Sequence, residues 1–314
     1  MNATSKIGKN TIKIANEVLN MFVLIVILLL LVFGCYAIWD SSQVHSAASS
    51  RNYEIYKPSD NDALSFEELR NINPDVFAWL TVYGTHIDYP VVQGEDNLKY
   101  VNTNAKGRYA ASGAIFLDYS NCQDFTDFNS IFYGHHMERQ TMFGEIGQFI
   151  EKDYFEARRY GTLYYGGQER GLEFFAFIHA DAYDAAVFRA GITYPDYQQA
   201  YLDMLTQQAI NIREDVPVTV DDNIVLLSTC SSRTTNGRDI LVGRIISEVH
   251  DNPFETENSD GNVQIIDGLS NIWSQYPLWM KIIVITISCL LILLLAVFIY
   301  NIKQQRSQEQ STKQ

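Results

Sequence analysis

The sequence predicts a mainly β protein with interspersed helices, a closed barrel held between two apolar ends. Three observations carry this. About eight short apolar runs, bounded by Gly, Pro, Asn and Asp, have the length of strands. Two longer stretches, 142–159 and 195–212, repeat their apolar residues at helical spacing. Residues 18–39 and 282–302 carry no charge, runs of 22 and 21, each long enough for a helix to cross the ~30 Å hydrocarbon core.

Taken in order, 1–17 is a tail with Lys6, Lys9 and Lys13, followed by a first transmembrane helix at 18–39. A cleaved signal peptide is the rival reading, but the run exceeds a ~7–15-residue signal core. Residues 40–63 are polar and read as a linker to an outer domain at 64–250. Leu64–Leu69 suits a short helix with Ser65 and Glu68 as a capping box, and Asn73-Pro74 stops it. Val76–Val82 and His86–Val92 read as strands around Tyr83-Gly84, and Ala114–Asp118 and Ser130–His135 continue the series. The stretch 142–159 should be one helix, with Phe143, Ile146, Phe149 and Ile150 on its inner face. Thr162–Tyr165 and Leu172–Ile178 form the next strand pair.

Pro195–Ile212 reads as an amphipathic helix with Pro195 in its first turn and a core-facing stripe of Tyr197, Tyr201, Met204, Leu205 and Ala209. Val218–Val220, Ile224–Thr229 and Ile240–Val249 complete the strands. A return linker, 251–277, leads to a second transmembrane helix at 278–302 and a tail at 303–314. Trp39, Trp273, Trp279 and Tyr300 sit where interfacial aromatics belong. Both tails are basic, so both termini are expected in the cytoplasm and the central domain outside.

The net charge of −14 lies on that central segment. The tails and Lys281 hold 7 of the 23 basic and 2 of the 37 acidic residues, leaving 16 against 35, a net −19. Such a surface excludes nucleic-acid binding, favours solubility and would keep the domain off an anionic lipid surface. Of the four cysteines, Cys35 and Cys289 fall in the apolar runs as small fillers. Cys122 and Cys230 lie outside, where a disulfide between them is the structural alternative to a free thiol. No CxxC, HExxH or Cys/His ligand pattern appears, so no metal site is expected.

The candidate chemistry is concentrated in Ile224–Arg244, IVLLSTCSSRTTNGRDILVGR. Two apolar runs joined by a polar loop place Cys230 at the end of one strand and Arg238 at the start of the next. A thiolate is a nucleophile, and a guanidinium beside it can meet developing negative charge. A partner acid or base is available in SIFYGHHMERQTMFGEI, 130–146, where Gly134 reads as a turn and His135 and His136 follow. Arg233 and Arg244 compete with Arg238, and spacing alone does not show which groups meet.

These residues resemble the sortase family, class B. The family signature is TLxTC followed by an arginine, with a histidine in an earlier YGH segment. Here Leu226-Leu227-Ser228-Thr229-Cys230, Arg238 and Tyr133-Gly134-His135 match it, with Leu226 in place of the usual Thr. INPDVFAWLTVYGTHIDYPVVQGEDNLKYV (72–101) and GAIFLDYSN (113–121) are also similar, so the resemblance spans about 64–248. It implies an eight-stranded β-barrel with an N-terminal helical region and a helix before the strand that carries the cysteine. It further implies that Cys230 is the nucleophile and therefore free, His135 the general acid/base and Arg238 the stabiliser of substrate carbonyl and oxyanion. Ser228 and Thr229 would shape that strand and touch substrate. The second membrane run departs from typical class B enzymes and occurs more often in the pilin-polymerising class C. The class C lid motif, Asp-Pro-aromatic, is absent; Asn73-Pro74-Asp75 is the nearest match and fits class B.

The implied reaction is transpeptidation without a cofactor. Cys230 attacks a carbonyl in the C-terminal sorting signal of a secreted protein and forms a thioacyl enzyme, which an amine resolves. The partners are the sorting-signal protein, the membrane, and an amine from a cell-wall precursor or a pilin, with no nucleic acid. Two other classes use the same features: a membrane-tethered cysteine protease that delivers only water, and an inactive module that keeps the fold to bind.

Overall fold

Eight strands close into a ring in the computed structural model, which describes residues 3–58, 64–231 and 233–254. They are β1 (Val76–Val82), β2 (Asp88–Val92), β3 (Ile115–Leu117), β4 (Asn129–Tyr133), β5 (Tyr160–Tyr165), β6 (Gln168–Asp181), β8 (Ile224–Cys230) and β9 (Gly237–Ile246). The order round the ring is β1-β2-β3-β4-β8-β9-β6-β5, and the β5–β1 pairing closes it. A ninth strand, β7 (Ala209–Ile212), pairs with β6 outside the ring. The sheet is mostly antiparallel; β2–β3 and β4–β8 are parallel, and each needs a crossover rather than a hairpin.

Alternation along the strands builds two cores. Phe132, Phe174, Phe177, Val225, Leu227 and Leu241 fill the barrel. Ile131, Ile178, Leu226, Ile240 and Val242 point outward, under the helix α4 (Pro195–Gln207). Strands buried on both faces read as continuous apolar runs, which is why β8 and β9 show no polar alternation in sequence.

Three elements differ from expectation. The stretch 142–159 is not one helix but a 3-10 turn at Ile146–Ile150 and a short helix, α3 (Lys152–Ala157), broken at Glu151 with extended φ/ψ. Met142 has a positive φ of 54°, which an α-helix does not accommodate, and Phe143, Ile146, Phe149 and Phe155 are buried in the barrel-side core all the same. The second helix stops at Gln207, and Ala209–Ile212 becomes β7 because β6 offers its unpaired edge there. Tyr201, Leu202 and Leu205 are the buried face of α4, whereas Tyr197 is exposed. Val218–Val220 forms no strand.

At the N-terminal side, α1 (Ala3–Ala48) contains, among the described residues, the one helix long and apolar enough to cross a membrane, Ala15–Ile38. The expected linker 40–63 is structured as far as it is described: α1 runs to Ala48, and 3-10 turns follow at Ser50–Asn52 and Glu54–Tyr56. Ala48 and Tyr53 are buried in the barrel-side core, and the Tyr89 hydroxyl donates to the Ala48 carbonyl at 2.9 Å. The helix α2 (Leu64–Ile72) already includes Ser65, whose hydroxyl donates to the Lys57 carbonyl at 3.4 Å. The expected second span, 278–302, and the tail 303–314 lie outside the described residues, as does the return linker beyond Phe254.

Candidate active site

Strand register settles where the sequence-predicted residues lie. In β4 and β8, which run parallel, Tyr133 is level with Ser228, and the Gly134 N–H donates to the Ser228 carbonyl at 3.2 Å. His135 follows two residues past the last registered pair, towards the Cys230 end of β8. On the other side, antiparallel β9 sets Arg238 opposite Cys230. Neighbouring strands are about 4.8 Å apart, and residues at one level share a face. Cys230 and Arg238 thus face each other across β8 and β9, and His135 follows the end of the neighbouring strand β4.

Each is held differently. Cys230 is exposed at its strand end and its thiol is free. His135 is half-buried, with Nε2 2.7 Å from the Val101 carbonyl. A carbonyl only accepts, so Nε2 carries the proton and Nδ1 is the nitrogen left for exchange. The His135 carbonyl in turn accepts from the Phe143 N–H at 3.0 Å. Gly134 is no turn position: a Cβ there would come within 2.6 Å of Ile115 and 2.7 Å of Phe143, so only glycine lets the strand pass between them. The loop that follows has Arg139, Gln140 and Met142 at positive φ, 58°, 59° and 54°, and an isolated bridge joins His136 to Met142.

The three candidate arginines are distinguished by their partners. Arg244 pairs with Glu173 at 2.8 Å and Asp222 at 3.2 Å. Arg233 pairs with Asp239 at 2.6 Å. Arg238 forms no ion pair among the described residues; one guanidinium nitrogen donates to the Gly237 carbonyl at 3.2 Å, and the rest of its donor fork is open. The two histidines separate by face: His136 alternates to the barrel-mouth side, where it lines a groove with Asp239 and Arg233. Ser228 and Thr229 are both buried, with hydroxyls that find no partner among the described residues. Ser228 shares the Cys230 face; Thr229 faces inward beside Asp239, its register partner. Cys122 is remote in sequence from this site, and the Asp127 carboxylate beside it raises its thiol pKa, which disfavours the thiolate.

Two supporting clusters escaped the sequence reading. In the first, buried Asp118 accepts from the Tyr133 hydroxyl (3.1 Å), Asn97 (2.8 Å) and the Ser120 hydroxyl (2.6 Å). Burial, then the Asp118 charge, pushes the Tyr133 phenol well above its ordinary pKa, so it stays protonated as a donor. Phe188 stacks on Tyr133 at 6.4 Å, and Asn129 pins that wall by bonding the Arg189 carbonyl (2.6 Å) and the Ile192 N–H (3.0 Å). In the second, buried Asp239 accepts from His179 Nδ1 (2.8 Å) and Arg233 (2.6 Å), while His179 Nε2 lies 3.2 Å from the Thr234 hydroxyl. This ties the β8–β9 loop to β6 directly behind Arg238. An aspartate inside an apolar run, as in RDILVG, was the available signal for it; its partners required register.

No family model matches the chain. Among curated proteins, Sortase B of Listeria monocytogenes serovar 1/2a is 31% identical over 183 residues, 58% of this chain and 74% of that protein. Sortase B of Staphylococcus aureus is 28% identical over 235 residues, 71% of this chain and 94% of its own length. Among solved structures, the sortase B from the type II pilus of Streptococcus pneumoniae is 45% identical, with a TM-score of 0.52 over 58% of this chain and 99% of that one. A class B sortase of Streptococcus pyogenes involved in pilus biogenesis is 40% identical, with a TM-score of 0.53 over 58% and 98%. The eight-stranded barrel and the similarity across most of these relatives' length agree with the class expected from the motifs. The chain belongs to the class B sortases and is a cysteine transpeptidase.

Proposed function

We propose that the chain is a membrane-anchored sortase that cleaves the C-terminal sorting signal of a secreted protein and joins it to the lysine amine of a pilin. The observation that carries the site is the pairing of Cys230 with Arg238, the arginine left without a carboxylate among the described residues, beside the strand that leads into His135. The Cys230 sulfur attacks the signal carbonyl, and Arg238 bonds the oxyanion that forms. His135 gives a proton to the departing amine from Nδ1, leaving a thioacyl enzyme, and takes one back from the incoming amine. Its Nε2–H bond to Val101 keeps the ring oriented through both steps. The buried Ser228 hydroxyl is placed to bond substrate backbone; Thr229 contributes from the inner face through the strand it stiffens.

The acceptor reading rests on identity: the two pilus sortases share 45% and 40% with this chain, against 30% for the sortase B of Staphylococcus aureus. A cell-wall precursor amine is the second reading, favoured by a solved sortase B complexed with triglycine. Membrane anchoring rests on Ala15–Ile38, with the tails inside and the catalytic domain, 64–250, outside. The test is the full chain in nanodiscs with sorting-type peptides of LPxTG, NPxTN and SPxTG form. Mass spectrometry should find an acyl adduct on Cys230 that moves to a lysine peptide faster than to triglycine. Faster transfer to triglycine would sink the pilin reading; release to water alone would favour a protease, and no adduct a binding module.

A further inference from the structure

The acidic outer segment turns basic at its root. Lys106 and Arg108 sit beside the end of α1, and neither forms an ion pair with a carboxylate among the described residues. Between them is a polar pocket of about 270 Å³, walled by Ser46 and Ala47 of α1, by Asn52, and by Asn104, Lys106 and Arg108. The pocket is ordered before any ligand arrives. Asn104 Oδ1 accepts from the N–H groups of both Lys106 and Arg108 at 3.0 Å. Lys106 Nζ lies over the Tyr56 ring at 4.9 Å and donates to the Asn52 carbonyl at 3.2 Å. Burial, then neighbouring Arg108, lowers the Lys106 pKa, a strain that an anion would relieve. The last carbonyls of α1, which would repel an anion, are covered: the Asn52 amide donates to Ser46 at 2.7 Å and Ala47 at 3.3 Å.

Position adds the ligand class. Ser46 lies eight residues past the end of the apolar span at Ile38, about 12 Å along a helix. The headgroup layer occupies roughly the first 5–7 Å of that distance. The remainder is within a ~8 Å Debye length and within reach of an extended lysine or arginine.

We propose that this pocket holds the phosphate of an anionic phospholipid headgroup, docking the catalytic domain onto the membrane surface from which α1 emerges. The inference rests on the anchoring reading above. Docking would restrain the swing of the domain about the end of α1, and the acidity of the remaining surface would keep the other faces turned away.

The experiment uses the full chain in nanodiscs of phosphatidylcholine alone or mixed with phosphatidylglycerol, with hydrogen exchange read at 50–56 and 104–109. Exchange there should slow several-fold in the phosphatidylglycerol discs, and high salt should remove the effect. The pair Lys106→Gln and Arg108→Gln should abolish the difference while peptide cleavage is retained; Lys99→Gln, a lysine already paired with Asp75, should leave it intact. Equal exchange in both discs, or a difference that survives the pair of substitutions, overturns the proposal. Inorganic phosphate giving the same protection in phosphatidylcholine discs overturns the headgroup as its source. Failure of the chain to enter discs of either kind, seen by flotation, overturns the anchoring reading instead and this inference with it.

Discussion

Among the arginines of this chain, burial and pairing set Arg244 apart from Arg238. Arg244 and Glu173 are nearly buried and satisfy each other, and Arg159 adds a bond to the same carboxylate at 2.9 Å. Burial works against the Glu173 charge, but the bonds from Arg244 and Arg159 outweigh it and hold its pKa below the usual carboxylate range. Removing Arg244 strands part of that charge; Arg244→Ala should cost ~3 kcal/mol in a denaturant titration. Arg238→Ala removes no ion pair, so its stability should change little while kcat falls about 10²–10³-fold, the scale of losing one oxyanion donor. A Tm loss without a kcat loss for Arg238→Ala would move the role elsewhere. Cys230→Ala should abolish acyl adducts, whereas Cys122→Ala should leave them unchanged, as mass spectrometry of the peptide reaction would show.

At the scale of elements, the β8–β9 loop is held by one buried carboxylate. Gly237 packs so closely that a Cβ would meet the His179 ring at 2.5 Å, and Asp239 bonds both His179 and Arg233. Asp239→Ala leaves those donors unanswered and should cost ~2 kcal/mol, about 4–8 °C in Tm for a domain of this size. It should also lower kcat, because Arg238 is the next residue. A second tie joins the β1–β2 turn to the segment after β4: Glu145 accepts from the His86 N–H at 2.5 Å and lies 3.1 Å from its Nδ1. The hydrogen bond to Glu145 raises the His86 pKa above 6.5, with burial opposing it. A folded-state value above the unfolded one stabilises fully below about pH 6.5 and loses its effect as pH rises through the folded value. The Tm gap between wild type and His86→Gln should therefore be widest in mildly acidic buffer and close in alkaline buffer.

For the whole molecule, the anchor and the barrel are continuous rather than joined by a slack tether. Ala48 and Tyr53 belong to the core, and Met142 N–H donates to the same Tyr89 hydroxyl that reaches Ala48. A fragment beginning at Leu64 should melt several degrees below one beginning at Ser41, since it exposes that face of the barrel. Equal melting temperatures would show that 41–58 docks without contributing stability.

What the sequence determined by itself was local. Apolar runs of strand length placed β1, β2, β8 and β9 to within a few residues, and uncharged length marked Ala15–Ile38. The YGH and STC motifs singled out Cys230, His135 and Arg238 as candidates through their resemblance to the family signature. Only tertiary structure decided the rest. His135 lies 95 positions before Cys230, and a parallel pairing with no hairpin makes β4 and β8, the strands that lead into them, neighbours. Arg238 matched the family signature in sequence, but that Arg233 and Arg244 are each paired with a carboxylate was decided by folding. The helix expected at 142–159 broke at Glu151 while its apolar residues stayed in the core, and the end of the second helix became β7 because an edge of β6 was open. Periodicity reports which side of an element is apolar; the partner that meets that side, and hence its final shape, is a property of the closed barrel.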